Sequence, residues 1–299
     1  MGILNIFKSK LDKETLIKEG TRCLKYGEYD KALKCSNKGL KLDPKDARLW
    51  NNKGVALENL GKKKKALESY DKALELNSDY VKVLQNKGAL FYELEDYRNA
   101  LNCFNKAIDI DPKFIDAWYC KGLTLGKINK NEEAIDCFNK AIDIDPKFID
   151  AWYCKGLAFI GIKEHRKAIE CFDKVLEVDP KNYESWQLKG FGFKELGKYD
   201  EALMLFDKAL KLNPDFLESW GIKGIVLNEL GRDEEALNCF EKVLKLNPND
   251  LNGWYKKGQT LMKLKRNLEA LKCFDKALEL DPTFERALKA KEDVLDSES

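Results

Sequence analysis

The chain has 299 residues, with 53 lysines and arginines against 51 aspartates and glutamates, so its formal net charge is only +2. This near balance gives no overall field that would attract nucleic acid or an anionic membrane. Hydrophobic residues make up 44% and charged residues 35% of the chain, which argues against a disordered or membrane-spanning protein and predicts a soluble helical protein. The apolar runs fall short of the roughly 18 residues that a membrane helix needs, and no signal peptide is visible, so we expect a cytoplasmic protein.

The chain begins with an apolar segment within residues 1–12 that contains Ile3, Leu4, Ile6 and Phe7. We expect this segment to form a flap that docks on the helices after it or is disordered, and a weak contact with a membrane or a partner is the alternative. It is only partly similar to a myristoylation signal, because Ile6 stands where that signal has serine or threonine.

From residue 13 to residue 284, one pattern recurs every 34 residues. A glycine marks each of the eight units, at Gly20, Gly54, Gly88, Gly122, Gly156, Gly190, Gly224 and Gly258. Alanine stands twelve residues after every one of these glycines, and tryptophan stands four residues before six of them. An aromatic residue follows sixteen residues after seven of them, and all seven prolines stand twenty-four residues after one of them. A fixed period of this length indicates a repeat array.

This Trp, Gly, Ala, aromatic and Pro signature resembles that of the tetratricopeptide-repeat family. The resemblance implies an all-α fold: a right-handed superhelical solenoid of helix-turn-helix repeats with a C-terminal capping helix. The capping helix is predicted at residues 285–299, where Ala287, Leu288, Val294 and Leu295 form one apolar stripe. The predicted repeats are residues 13–46, 47–80, 81–114, 115–148, 149–182, 183–216, 217–250 and 251–284.

The small residues of the signature predict close helix crossings, because glycine and alanine let two helices approach while the aromatic residues fill the space beside them. We expect each proline in the first turn of the following helix, where its missing N–H has no partner to lose. The residue before each proline is then the predicted N-cap: Asp43, Asp111, Asp145, Asp179, Asn213, Asn247 and Asp281.

Three features that suggest catalysis or a cofactor have simpler interpretations. Residues 192–198 match most of a phosphate-binding loop, but Tyr199 replaces the serine or threonine that contacts Mg²⁺. Six of the nine cysteines share one place in the second helices, which indicates small apolar fillers. His165, the single histidine, stands where other units have tyrosine. We therefore predict a non-catalytic protein without metal or cofactor.

Lysine precedes the marker glycine in seven units, where the family usually has leucine. We expect the stem of each lysine to cover apolar surface near the tryptophan while its ammonium reaches water or an acid. A stripe of seven cations leaves a nucleic-acid-binding solenoid as one alternative function, although the other charges of the chain cancel. A self-associating structural array is the second alternative.

At about 100° per residue, the places six, three and two before the glycine, and one, four and five after it, share one face of the first helix. By resemblance to the family, this face lines the concave groove. In the central repeats it carries exposed aromatic and apolar residues bordered by acids, which is typical of a binding surface. The predicted groove residues are Tyr92, Asp116, Tyr119, Cys120, Leu123, Asp150, Tyr153, Cys154, Leu157, Ile160 and Phe191.

Residues 103–123 and 137–157 are identical, so the same groove residues recur one repeat apart. A periodic surface of this kind suits an extended or helical ligand. We therefore predict a protein-interaction scaffold that binds a peptide or a partner helix, and the sequence does not identify that partner.

Overall fold

The computed structural model describes residues 12–298, which form seventeen α-helices and no β-strand. The predicted all-α fold is confirmed. The predicted flap, apart from Asp12, lies outside the described residues. None of the helices between residues 12 and 298 is long and apolar enough to cross a membrane. The helices are α1 (Lys13–Lys25), α2 (Tyr29–Leu42), α3 (Ala47–Asn59), α4 (Lys63–Leu76), α5 (Val81–Glu93), α6 (Tyr97–Ile110), α7 (Ile115–Lys127), α8 (Asn131–Ile144), α9 (Ile149–Gly161), α10 (His165–Val178), α11 (Tyr183–Glu195), α12 (Tyr199–Leu212), α13 (Leu217–Glu229), α14 (Asp233–Leu246), α15 (Leu251–Lys263), α16 (Asn267–Leu280) and α17 (Glu285–Glu298).

The turn before each first helix differs from the N-cap prediction, which was wrong. Asp111 ends α6, and its carboxylate accepts a hydrogen bond from the backbone N–H of Lys113 at 3.0 Å. This hydrogen bond, between Asp111 and the residue two positions later, stabilises the turn rather than the start of a helix. Helix α7 begins only at Ile115, because the chain needs the residues after the proline to reverse its direction. The same bond forms at Asp43, Asp145, Asp179, Asn213, Asn247 and Asp281.

The proline of this turn is tied to the tryptophan of the following helix. The indole N–H of Trp118 donates to the carbonyl oxygen of Pro112 at 3.0 Å. Trp50, Trp186, Trp220 and Trp254 make the same bond to the proline six residues earlier. The bond fixes the turn against the first helix, so two distant positions of the sequence signature act together.

The chain groups into two compact units, one ending at Ala151 and the other beginning at Trp152 within α9. In the first unit, α3 packs against its partner α4 and against the first helices α1 and α5. In the second unit, α13 packs against its partner α14 and against α11 and α15. Each unit is therefore built from consecutive helix pairs.

Within residues 12–298, seven of the eight pairs are closed by a glycine that faces a buried aromatic ring, and in the first pair Gly20 faces Cys35 and Asn52 instead. A Cβ atom added at Gly122 of the first unit would lie 2.6 Å from Cε1 of Phe138, and one at Gly258 of the second unit 2.5 Å from Cε1 of Phe274. Both rings are at most 2% exposed. No side chain fits between such helices without a shift of the ring, which explains the 34-residue glycine period.

The last helix, α17, packs on α16 and α15 and completes the core of the second unit. Ala287 and Val294 are fully buried there, and Ala290 is 8% exposed. Leu288 and Leu295, however, are 43% and 49% exposed, so the predicted four-residue stripe was half wrong. The reason is the helical angle: residues 287, 290 and 294 share one face, whereas residues 288 and 295 are rotated about 100° away from it.

Candidate peptide-binding faces

The predicted groove residues lie on surfaces that solvent reaches. In the first unit they are half-buried or exposed: Tyr92, Asp116, Tyr119, Cys120, Leu123 and Asp150. The same is true in the second unit of Tyr153, Cys154, Leu157, Ile160 and Phe191, with Leu157 at 39% exposure. On α7 the opposite side is buried, since Ala117 and Leu125 are at most 3% exposed. Binding by these residues stays a prediction.

The tyrosine rings of these faces rest on the core. The ring of Tyr119 lies 6.1 Å from that of Phe138 and 5.0 Å from that of Phe148, measured between centroids. In the second unit, Tyr153 lies 6.0 Å from Phe172. Each ring is therefore held in place by packing and still keeps one side open. Tyr255, which the sequence argument did not select, makes the same contact with Phe274, and its place three residues before a marker glycine was the available signal.

Tyr153 and Cys120 on the central faces are uncharged at neutral pH. Burial raises the pKa of the Tyr153 hydroxyl to about 12, and the nearby carboxylate of Glu184 adds to the shift. Burial likewise raises the pKa of the Cys120 thiol to about 11. Both groups stay protonated, so they offer a partner apolar contact and hydrogen bonds rather than charge. Asp116 lies at the edge, with its carboxylate 3.8 Å from the ammonium of Lys82.

The first helices near the N-terminus are polar and bonded to one another. The amide of Asn52 donates to the hydroxyl of Thr21 at 3.1 Å, and the amide of Asn86 donates to the side-chain oxygen of Asn51 at 3.0 Å. Asn51 and Asn52 are at most 8% exposed. These amides join α1 to α3 and α3 to α5, so the polar groups are occupied within the protein.

The predicted lysine stripe is engaged by internal contacts: four of its lysines pair with carboxylates and three lie over tryptophan rings. The ammonium of Lys223 lies 2.5 Å from the carboxylate of Asp207, sixteen residues earlier, and that of Lys257 lies 3.0 Å from Glu241. Lys87 and Lys189 form the same ion pair with Asp71 and Asp173. Lys53, Lys121 and Lys155 lie over the rings of Trp50, Trp118 and Trp152 at 4.6, 5.4 and 4.7 Å. A polyanion would have to displace these partners, which lowers its gain from each lysine.

All nine cysteines are free thiols; six are buried, and Cys35, Cys120 and Cys154 are half-buried. Cys137 in the first unit and Cys171, Cys239 and Cys273 in the second are at most 4% exposed. Burial raises the pKa of each of these four thiols to about 11. Within residues 12–298, no group of three His, Cys, Asp or Glu side chains is arranged to hold a metal ion.

His165 begins α10, and its ring lies edge-on to that of Phe191 at 6.3 Å. The contact involves a predicted groove residue, and it accounts for an aromatic-like residue at this place in the repeat. The residues around the suspected phosphate loop are helical as far as Glu195.

The family comparisons match most of the chain. The family described as "Tetratricopeptide repeat" matches residues 47–80, 115–148, 149–182, 183–216 and 252–284. A second family, described as "TPR repeat", matches residues 20–61, 88–129 and 224–265. No curated protein matches the sequence.

Several solved structures are similar to this one. MamA is 27% identical with a TM-score of 0.52, over 54% of this chain and 94% of that one. YrrB, described as a TPR protein with an unusual peptide-binding site, is 26% identical with a TM-score of 0.53, over 63% of this chain and 97% of its own. PilF of Pseudomonas aeruginosa is 23% identical with a TM-score of 0.62, over 69% and 94%, and supports the fold alone.

Proposed function

Because the chain belongs to the tetratricopeptide-repeat family, we propose that it is a non-catalytic scaffold that binds a peptide or a partner helix on its first-helix faces. The fold is that of protein-interaction scaffolds, and YrrB, a similar structure, is described as having a peptide-binding site. The cytoplasm, expected from the sequence, is the proposed location of the scaffold. The division into eight repeats is part of the same proposal.

The observation that carries the proposal is the placement of Tyr119 and Tyr153. Each ring stands in the same register of its helix, rests on a buried phenylalanine and stays half-exposed. A ring already held by packing loses little freedom when a partner covers it, so its contact area contributes more fully to affinity. Tyrosine is for this reason enriched among the residues that dominate binding energy.

The nucleic-acid alternative receives less support, because the lysines that suggested it are engaged with carboxylates and tryptophan rings. Salt dependence separates the two functions. Binding through several phosphate contacts falls steeply with salt concentration, whereas binding through neutral tyrosine faces does not. Light scattering of the purified chain tests the remaining alternative, self-association.

The experiment compares partner recovery from native lysate by three forms of the chain. We expect the double variant Tyr119→Ala, Tyr153→Ala to lose about 2 kcal/mol or more of affinity for its partner. The matched control is Lys106→Ala with Lys140→Ala, which changes two exposed residues of the second helices and should leave recovery unchanged.

Melting of each form distinguishes lost binding from lost folding. Undiminished recovery of partners by a folded tyrosine double variant would place the binding surface elsewhere. Loss of the fold in that variant would show that the rings serve the core, and the single variants at Leu123 and Leu157, also on these faces, would then carry the test.

A further inference from the structure

One position of the first helices, three residues before the marker glycine, shows a gap in the second unit. Tyr153 and Tyr255 fill this position in α9 and α15, and in the first unit Tyr119 fills it in α7. The three tyrosine rings lie 6.0, 6.1 and 6.1 Å from Phe172, Phe274 and Phe138. In α13 the same position is Gly221, and a Cβ atom built there meets no atom within 4 Å.

The missing side chain leaves a cavity of about 380 Å³ between α13 and α15. Its wall is apolar and includes Leu217, Ile222, Ile225 and Val243, together with Phe240, the counterpart of the phenylalanines that contact the tyrosines elsewhere. Four of the residues around it, at positions 218, 221, 222 and 225, belong to the face of the first helix that the angle argument assigns to ligands. The cavity is thus continuous with the proposed binding face of the second unit.

Glycine at this place is not required by packing. It weakens the interior of a helix relative to alanine, and the space around it would accept a side chain. The repeats that carry tyrosine show which group the surroundings fit: a six-membered aromatic ring set against a buried phenylalanine. An aromatic ring supplied from outside the chain would meet the same kind of surface.

Three charged side chains line the rim of the cavity: Asp250, Lys256 and the exposed Glu218. Lys256 of α15 is half-buried and lines the cavity. Its ammonium donates to the amide oxygen of Gln259 at 3.1 Å and lies 5.6 Å from the ring of Tyr255. Among the described residues Lys256 forms no ion pair, and Glu229 is the acid that acts on its charge from a longer distance. A half-buried cation without a direct ion pair favours a partner that brings a carboxylate into contact with it. Asp250, also on the rim, is already engaged by the backbone N–H of Gly253.

We propose that the Gly221 cavity binds an aromatic side chain of a partner peptide, in the place that tyrosine fills in other repeats, while a carboxylate next to that ring pairs with Lys256. The site selects a partner segment in which an aromatic and an acidic residue are close together. This inference rests on the proposed function, because it names the partner chemistry of one binding face.

The test uses 4-hydroxyphenylacetate, a small probe that carries both groups, titrated into the full chain and followed by backbone amide NMR shifts. We expect shifts concentrated in α13 and α15 and at least tenfold weaker binding by Gly221→Tyr, because the new ring fills the cavity from within. The matched control Gly221→Ala leaves most of the cavity open and should bind within about twofold of the wild type. Lys256→Gln should weaken 4-hydroxyphenylacetate several-fold and leave p-cresol, which has no carboxylate, unchanged.

Three outcomes would overturn the inference: no shifts in α13 and α15 of the wild-type chain, unchanged binding by a folded Gly221→Tyr variant, or a dimer of the wild type that Gly221→Tyr abolishes. The last outcome would assign the cavity to a second copy of the chain. The wild-type titration decides the matter even if a variant fails to fold. Failure here leaves the proposed function standing, since the tyrosine double variant keeps Gly221 and is judged by partner recovery.

Discussion

Helix α13 contains two glycines three residues apart whose surroundings are opposite. At Gly224 a Cβ atom would lie 2.8 Å from Cζ of Phe240 and 3.2 Å from Cβ of Cys239. At Gly221 the same atom would meet nothing within 4 Å. Gly224 is explained by the close approach of two helices, whereas no contact within the chain explains Gly221. One helix therefore shows both how a repeat closes its core and where it leaves room for a partner.

The largest expected effect comes from removing the Phe240 ring that packs against Gly224. Phe240 is 1% exposed, and Phe240→Ala should lower the free energy of unfolding by about 3 to 5 kcal/mol, because a buried ring leaves a cavity that the neighbours only partly fill. Urea unfolding measures the loss. Met204→Ala, at a side chain that is 64% exposed, is the control and should change stability by less than about 0.5 kcal/mol. Equal effects of the two substitutions would contradict the core assignment.

A smaller loss of unfolding free energy is expected when Gly224 gains one methyl group. Gly224→Ala should destabilise the protein by about 1 to 3 kcal/mol, since the added atom pushes against the ring of Phe240 and the Cβ atom of Cys239. The measurement is again urea unfolding, and the two proteins are compared only if their unfolding free energies depend equally steeply on urea concentration. A neutral or stabilising result would show that the ring moves aside freely and that close approach does not explain the glycine period.

The smallest effect should have the opposite sign. Gly221→Ala should raise the free energy of unfolding by up to about 1 kcal/mol, because alanine favours the helix and restricts the unfolded chain while meeting no atom. Gly126→Ala offers a comparison in the first unit. That glycine also has no atom within 4 Å of its built Cβ but lies in the last turn of α7, so the gain should be about 0.5 kcal/mol or less. Destabilisation by Gly221→Ala would show that the added methyl group meets other atoms, which would contradict the open cavity.

The same contrast shows how far the sequence could lead. The packing of the two helices within a repeat was predictable from the sequence, because glycine, alanine and aromatic residues recur at a fixed spacing where two helices cross closely. The binding faces were predictable only as an angle on a helix. The contacts of Tyr119 with Phe138 and Phe148 depend on how neighbouring helices pack together. The angular position of a residue on one helix does not contain that information.

Two features were visible in the sequence but needed the structure to be understood. Lys223 and Asp207 stand sixteen residues apart in the sequence. That spacing acquires a meaning only when α13 packs on α12 and brings the ammonium and the carboxylate to 2.5 Å. Trp118 and Pro112 stand six apart, and where Leu84 replaces the tryptophan, Ser78, six residues earlier, replaces the proline. The indole hydrogen bond to the proline carbonyl links the two positions. The N-cap prediction failed for a related reason, because a turn can use the carboxylate of Asp111 before the helix begins.

The sequence by itself determined the all-helical fold, the pairing of helices and the buried stripe of each pair, because a repeat of 34 residues imposes the same local packing on every unit. The tertiary structure alone decided which charges are neutralised, which tyrosines are held in place and where a cavity opens at Gly221. Those properties depend on distances between side chains of different helices, and such distances follow from packing rather than from any one residue or spacing.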